Sequence, residues 1–298
     1  MPQTEKTRQR ASQRTDVLST LESSSGRKKL TRPFLKWAGN KFKILDQVLP
    51  QLNRHGNQRL LEPFVGSGAV FLNAGFRENV LCDVNPDIIN LYEYLRQQPD
   101  GFIEDCKQYF SGAYNNQASF NQLRDEFNQS SDTYRRALLF VYLNRHCFNG
   151  LCRYNSKGIF NVPFGRYAKP YFPAEELLTF AAASANSKFY KQCFTRTFQE
   201  VRAGDVVYCD PPYIPLSVTS SFSSYSADDF GEEEQKELAR QAEQAAAKGA
   251  VVVISNHDNE ISRNLYRSAE IISFDVQRFI SAKGDRRNKA PELLAIFE

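Results

Sequence analysis

The chain is 298 residues long, 41% hydrophobic and 24% charged, with a formal net charge of +4; that length supports a large core, as one α/β domain with an insertion or as two domains. Its six cysteines (82, 106, 147, 152, 193, 209) form no CxxC pair and match no histidine spacing, which argues against a zinc site or a disulfide framework and for reduced thiols in a cytoplasm. No apolar run approaches about 18 residues and no apolar core of a signal peptide opens the chain, so neither a membrane nor an export role is expected.

The charge is unevenly placed. Residues 1–33 hold eight Lys/Arg against three acids, which leaves the remainder near −1. The first thirty-odd residues are rich in Ser, Thr, Gln and Arg, too polar to offset the entropy of ordering, and read as a disordered basic tail over 1–32. The next segment, Phe34 to Lys41, holds the only tryptophan, Trp37, beside Gly39 and flanked by Lys36 and Lys41. It reads either as the first piece of core or as an aromatic platform with a lysine for an anionic group.

Leu60-Leu61 reads as a strand end, and Glu62-Pro63-Phe64-Val65-Gly66-Ser67-Gly68 as a glycine turn opening a helical pattern at Ala69. Glycines so spaced let backbone approach a ligand at the carboxyl edge of a sheet. A second strand, Asn79 to Cys82, ends at Asp83, where an acid would grip ribose hydroxyls. The pattern departs from the GxGxxG of a dinucleotide site, which favours one nucleoside over a nicotinamide cofactor. Residues 87–130 then turn helical, with apolar residues at three- and four-residue steps. Residues 133–173 change character: seven Lys/Arg, no acid and ten aromatics form an expected basic stripe for nucleic acid. Within it, Asn149-Gly150 signals a turn that thrusts Phe148 and Arg153 outward on a hairpin-like loop.

The buried, β-branched run Val206 to Cys209 stops at Asp210-Pro211-Pro212-Tyr213. The prolines have no N–H and a fixed φ, so the Asp210 carboxylate and the Pro211 carbonyl become a rigid pair of acceptors, with Tyr213 as a flat face beside them. That combination suits a planar group bearing an exocyclic amine, such as a nucleobase. Downstream lie a serine-rich loop over 217–226, a surface helix over 232–248, and a buried strand Ala250–Ile254 ending in Ser255-Asn256-His257-Asp258, where His257 reads as stabilising a loop. Arg278, Lys283, Arg286, Arg287 and Lys289 around Gly284 form a second expected phosphate-contacting loop, before residues 292–297 close the sheet.

From about Phe34 to Phe297 the chain resembles the Dam-type DNA adenine-N6 methyltransferases, through FLKWAGNK, LLEPFVGSGAVFLN, LCDVNPDIINLY, YLNRHCFNGLCRYN, FNVPFGRYAKPYFP, VVYCDPPY and VISNHD in the family's order. The resemblance implies an α/β fold: a Rossmann-like S-adenosyl-L-methionine-dependent methyltransferase sheet over 33–95 and 190–298, with a mostly helical DNA-recognition subdomain over 96–189. It implies S-adenosyl-L-methionine as donor and adenine in double-stranded GATC as acceptor. Trp37, Lys41, Asp83 and Asp210 look like cofactor contacts, with Glu62, Phe64, Gly66 and Gly68 framing the methionine end; Asp210, Pro211, Pro212 and Tyr213 look like the catalytic adenine grip. Lys36 resembles a lysine that meets the first guanine, and Phe148 stands where the family has a wedge tyrosine. Asn149 follows that wedge, and Leu151, Arg153 and Pro163 fall on base-reading positions. Arg145, Arg166 and Tyr167 look like backbone or flanking contacts. Asn40 replaces a glycine usual in the family.

The resulting expectation is methyl transfer to a flipped adenine, by a monomer in a prokaryotic cytoplasm associated with its nucleoid, without metal. Two settings stay open: an orphan methylase serving replication and mismatch repair, or the partner of a restriction endonuclease with another target sequence. A regulator of the same fold that binds DNA without catalysis, an RNA methylase and a nicotinamide oxidoreductase are the rivals.

Overall fold

A computed structural model describes residues 29–54, 56, 58–214, 230–277 and 289–298. Nearly all of the expected tail therefore lies outside the described residues, as do the serine-rich loop and the basic loop from Arg278 to Arg287. Thr31 already belongs to the body: its N–H donates to Asn73 Oδ1 (2.7 Å), and its carbonyl accepts from Asn73 Nδ2 (3.0 Å).

Seven strands form one sheet: β1 (Arg59–Glu62), β2 (Glu78–Asp83), β3 (Ser187–Lys191), β4 (Val206–Cys209), β5 (Val251–His257), β6 (Glu270–Gln277) and β7 (Lys289–Phe297). Their order is β3-β2-β1-β4-β5-β7-β6. β1 to β5 run parallel, and β7 is antiparallel to both neighbours. The final strand is therefore slotted inside the sheet and β6 forms the edge.

Alternation along each strand divides the core between two faces. Leu60, Leu81, Val206, Tyr208 and Val253 pack on one side; Leu61, Val80, Cys82, Val207, Cys209 and Ile254 pack on the other. The chain order reverses between β1 and β4, which opens a crevice at their carboxyl ends.

Among the described residues the α-helices are α1 (Leu45–Asn53), α2 (Phe71–Ala74), α3 (Pro86–Gln97), α4 (Pro99–Lys107), α5 (Gln117–Gln129), α6 (Thr133–His146), α7 (Ala174–Ala183), α8 (Phe194–Phe198), α9 (Glu232–Ala247) and α10 (Glu260–Leu265). Residues 86–183, with α3 to α7, make one long helical crossover between the adjacent strands β2 and β3. Asn85 caps α3 with Pro86 in its first turn, and Asp132 caps α6 by accepting from the N–H groups of Tyr134 and Arg135. The start of the body is pinned to this crossover by Phe34, whose ring meets Phe180 (5.1 Å) and Tyr92 (6.0 Å) edge-on.

The stretch 133–173 is not one continuous basic stripe. Ala137 to Asn144 are buried as the core of α6, Arg135 is paired with Glu126, and Arg136 with Asp87. The acids that neutralise it come from α5 and α3, outside the stretch, which is why a local charge count overstated its surface.

Candidate active site

Three carboxylates arrive at the crevice because three parallel strands end there: Glu62 closes β1, Asp83 closes β2 and Asp210 follows β4. With Trp37, Lys41, Phe64, Gly66, Pro211, Pro212 and Tyr213 they line a single cavity of about 780 Å³. Gly68 is the exception among the expected cofactor residues. A Cβ there would fall 2.6 Å from the Phe71 ring, so its positive φ serves packing of the turn rather than the cavity wall.

Asp210 does not stand alone. Lys41 Nζ lies 2.7 Å from its Oδ1, with the two side chains 9% and 23% exposed, and Ser255 Oγ donates to the same oxygen at 3.2 Å. Burial pushes the carboxyl above its ordinary range; Lys41 and Ser255 pull it back. Lys41 also donates to the Gly39 carbonyl (2.8 Å) and sits 4.4 Å from the Tyr213 ring centre. The positive-φ residue of this segment is Gly39; Asn40 has φ −51° and caps the following turn by accepting from Phe42 N–H. Replacement of a glycine at Asn40 thus leaves the approach to Lys41 intact.

The Asp-Pro-Pro-Tyr loop is held by the polar residues that follow Ile254; His257 stabilises a loop as expected, although the strand itself runs on through it. Ser255, Asn256 and His257 are the last residues of β5, held in the ladder opposite Leu294, Leu293 and Glu292. Asn256 Oδ1 accepts from Ile214 N–H (3.0 Å), and His257 Nδ1 donates to the Ile214 carbonyl (2.6 Å). Gln235 Nε2 donates to the Pro212 carbonyl (2.7 Å). Tyr213 packs edge-on against His257 and donates to Glu292 Oε2 (3.1 Å). The available signal was a polar run continuing a strand without a glycine or proline to stop it.

On the other side, Asp83 braces the glycine turn: Oδ2 accepts from Gly66 N–H (3.1 Å) and Oδ1 from Asn85 N–H (2.9 Å). Burial raises its pKa, and these N–H groups oppose the rise. A Cβ on Gly66, whose φ is +47°, would come within 3.0 Å of Trp37 Nε1, so glycine lets the indole close over the turn. Glu62 is 2% exposed, and its Oε1 has no hydrogen-bond partner. Desolvation holds its carboxyl well above the ordinary range. A buried orphan acceptor on a residue lining the cavity is a ready partner for a cationic donor.

The expected DNA residues separate into an assembled cluster and a remainder. Asn149 (φ 55°) and Gly150 (φ 64°) take the two left-handed positions of a turn closed by Leu151 N–H to the Phe148 carbonyl (3.2 Å). Phe148 stands 51% exposed. Phe148 N–H donates to the Pro163 carbonyl (2.8 Å), so the turn pairs with 163–165 rather than with its own flank; the hairpin proper lies farther on, where Tyr154 bridges Phe160. Asn149 N–H donates to Tyr167 Oη (2.9 Å), and Lys36 Nζ lies 4.4 Å from the Tyr167 ring centre. Arg153 is exposed, its Nε donating to Asn161 Oδ1 (2.8 Å). Arg166 is exposed at φ 53°, and Leu151 is half-buried against the core. Arg145 turns inward: it donates to the Phe34 carbonyl and lies over the Tyr171 ring.

Residues 37–280 match the family model described as D12 class N6 adenine-specific DNA methyltransferase. Over 270 residues the chain is 47% identical to the DNA adenine methylase of Serratia marcescens, covering 90% of this chain and 99% of that one. It is 45% identical to the DNA adenine methylase of Vibrio cholerae serotype O1 (90% and 97% covered) and 44% identical to that of Escherichia coli strain K12 (91% and 96%). With an intact Asp-Pro-Pro-Tyr loop at the switch point of its sheet, the chain belongs to the D12 class of N6 adenine-specific DNA methyltransferases.

Proposed function

We propose that the chain methylates N6 of adenine within double-stranded GATC, using S-adenosyl-L-methionine and acting on a base turned out of the helix. The observation that carries this reading is the shared cavity, where Asp210 and Pro211 face the same space as Glu62, Asp83 and Trp37. The residues fit the donor: Asp83 for ribose hydroxyls, the partnerless Glu62 Oε1 for an ammonium, and Trp37 with Phe64 as apolar walls. When bound, that molecule supplies an electrophilic methyl group on a sulfonium.

The protein's part is to make a poor nucleophile better. The lone pair of the adenine amine is delocalised into the ring. Hydrogen bonds from its two N–H groups to Asp210 and the Pro211 carbonyl favour a pyramidal nitrogen and free that pair. Because Lys41 and Ser255 both hold Oδ1, Oδ2 is the oxygen left to accept the amine. Positioning then contributes the larger share of acceleration. Phe148 fills the gap left by the departed base, which offsets part of the few kcal/mol spent on unstacking. Lys36, Asn149, Leu151, Arg153 and Pro163 read base edges, while Arg166 and Tyr167 meet the backbone. We assign catalysis to the sheet (33–95 and 190–298) and recognition to 96–189, in a monomer acting on chromosomal DNA in a prokaryotic cytoplasm.

Asp210→Ala tests the chemistry. Methyl transfer to a GATC duplex should fall by at least about 10²-fold while DNA binding stays measurable; near-normal turnover rules out the role. Sequence preference is tested by expressing the protein in methylation-free cells and reading modified adenines from genomic DNA, where a motif other than GATC overturns that assignment.

A further inference from the structure

Asn144 lies in the last turns of α6, 2% exposed, with its amide aimed at a segment 108 positions earlier. Its Oδ1 accepts from Lys36 N–H (2.9 Å), and its Nδ2 donates to the Lys36 carbonyl (2.7 Å) and to the Gly150 carbonyl (3.2 Å). One side chain thus binds both polar groups of a single residue, as a neighbouring strand would, and ties that residue to the Asn149-Gly150 turn.

The Lys36 stem completes the joint. A Cβ on Gly150 would stand 2.4 Å from Lys36 Cβ and Cδ, so the stem lies directly on the turn, where only glycine leaves room. Its ammonium rests over Tyr167, whose hydroxyl accepts from Asn149 N–H. Lys36 has four rotatable side-chain bonds, and a free lysine spends about 2 kcal/mol of rotamer entropy to reach one position. Clamping its backbone and seating its stem removes much of that cost before DNA arrives.

We propose that Asn144 is a specificity-determining positioning residue, which fixes the Lys36 ammonium relative to the exposed Phe148 ring. The inference rests on the reading of Lys36 as a base contact at the first base pair of the target. Asn144 itself lies too deep to touch DNA, and it acts on base choice through Lys36 and Gly150.

The test compares kcat/KM for GATC duplex with duplexes substituted at the first or at the last base pair, for wild type, Asn144→Ser, Lys36→Ala and the double variant. Asn144→Ser should lose about tenfold of discrimination at the first base pair and none at the last, with a KM change larger than the kcat change on GATC. The double variant should discriminate no worse than Lys36→Ala. Equal losses on every duplex, or additive losses in the double variant, overturn the proposal. A Lys36→Ala enzyme with unaltered first-base discrimination overturns the underlying reading, and this proposal with it. Should Asn144→Ser fail to fold, Gly150→Ala displaces the same stem and must give the same selective loss; a uniform loss refutes it.

Discussion

Lys41 Nζ and Asp210 Oδ1 are 2.7 Å apart in a largely buried pair at the mouth of the site, and the Asp210 carboxyl is nonetheless raised above its ordinary pKa of 3.8. Desolvation therefore outweighs the ammonium and the Ser255 hydroxyl together. An ionised carboxylate is the stronger acceptor for an amine N–H, and Lys41 favours that form, so it does more than meet a ligand.

The consequence is a pH dependence with a defined direction. On the proposed mechanism the carboxylate is the active form, so the acid limb of single-turnover methyl transfer should lie above 3.8, with rates falling as pH drops through the folded-state pKa. Lys41→Met removes a charge that lowers this pKa, which moves the limb to higher pH. Ser255→Ala moves it the same way by less. The Asp210 charge in turn raises Glu62, Tyr208 and Tyr213, with Glu292 in the same electrostatic neighbourhood. A limb unmoved in Lys41→Met would show that another group sets it.

Glu62 gives a prediction about stability. Its folded pKa lies well above 4.5, so relative to the unfolded chain its contribution favours folding below pH 4.5 and is lost as pH rises through the folded value. At neutral pH that contribution is reduced or lost, and on the proposed function the buried carboxyl is a cost retained for ligand binding. Glu62→Gln should raise the melting temperature of the ligand-free protein at pH 7, by about 2–4 °C for each kcal/mol recovered. That gain should shrink toward zero below pH 4.5, and affinity for S-adenosyl-L-methionine should weaken at pH 7. Calorimetry across pH reads the first effect and titration with the donor the second; a melting temperature lowered at pH 7 contradicts the account.

Phe148 is half exposed on a turn that needs no contribution from its side chain. Phe148→Ala should leave the melting temperature within about 1 °C, since exposed substitutions away from the core have small effects. It should lower the fluorescence gain of 2-aminopurine placed at the target adenine, which reports the unstacked base. Phe148→Tyr should retain that gain, because the ring and not a hydroxyl fills the helix. An undiminished signal in Phe148→Ala would remove the wedge role.

Much of this was legible where local chemistry is self-sufficient. Val206 to Cys209 followed by two prolines fixes a strand end and its carboxylate without help from the rest of the chain, and Asn149-Gly150 fixes a turn. What could not be read depends on distant partners. Ser255 to His257 look like the polar end beyond a strand until β7 pairs with them and extends it, and β6 has no alternation clear enough to announce a strand. Arg135, Arg136 and Arg145 look like surface charge until Glu126, Asp87 and the Phe34 carbonyl are brought to them. A cluster's net charge follows from sequence, but its exposure follows from what packs beside it.

Asp87 shows how much such a partner is worth. It is 3% exposed in the first turn of α3, with Oδ1 accepting from Arg136 Nε (2.8 Å) and Oδ2 from Arg136 Nη2 (2.9 Å) and Tyr154 Oη (2.6 Å). Arg136 also donates to the Phe127 and Ser130 carbonyls and lies 4.1 Å from the Phe127 ring centre. One carboxylate thereby joins the helix that follows the Asp83 strand, the long buried helix α6 and the hairpin next to Arg153. Removing one partner of a buried pair leaves the other charge uncompensated, so Asp87→Asn should cost about 3–5 kcal/mol in urea unfolding. Tyr154→Phe removes the hydroxyl that donates to this charged acceptor and should cost about 1.5–3 kcal/mol. Because both act on the same carboxylate, the double variant should lose less than the sum. Strict additivity would mean that Tyr154 and Arg136 stabilise the crossover independently and that Asp87 is not the point joining them.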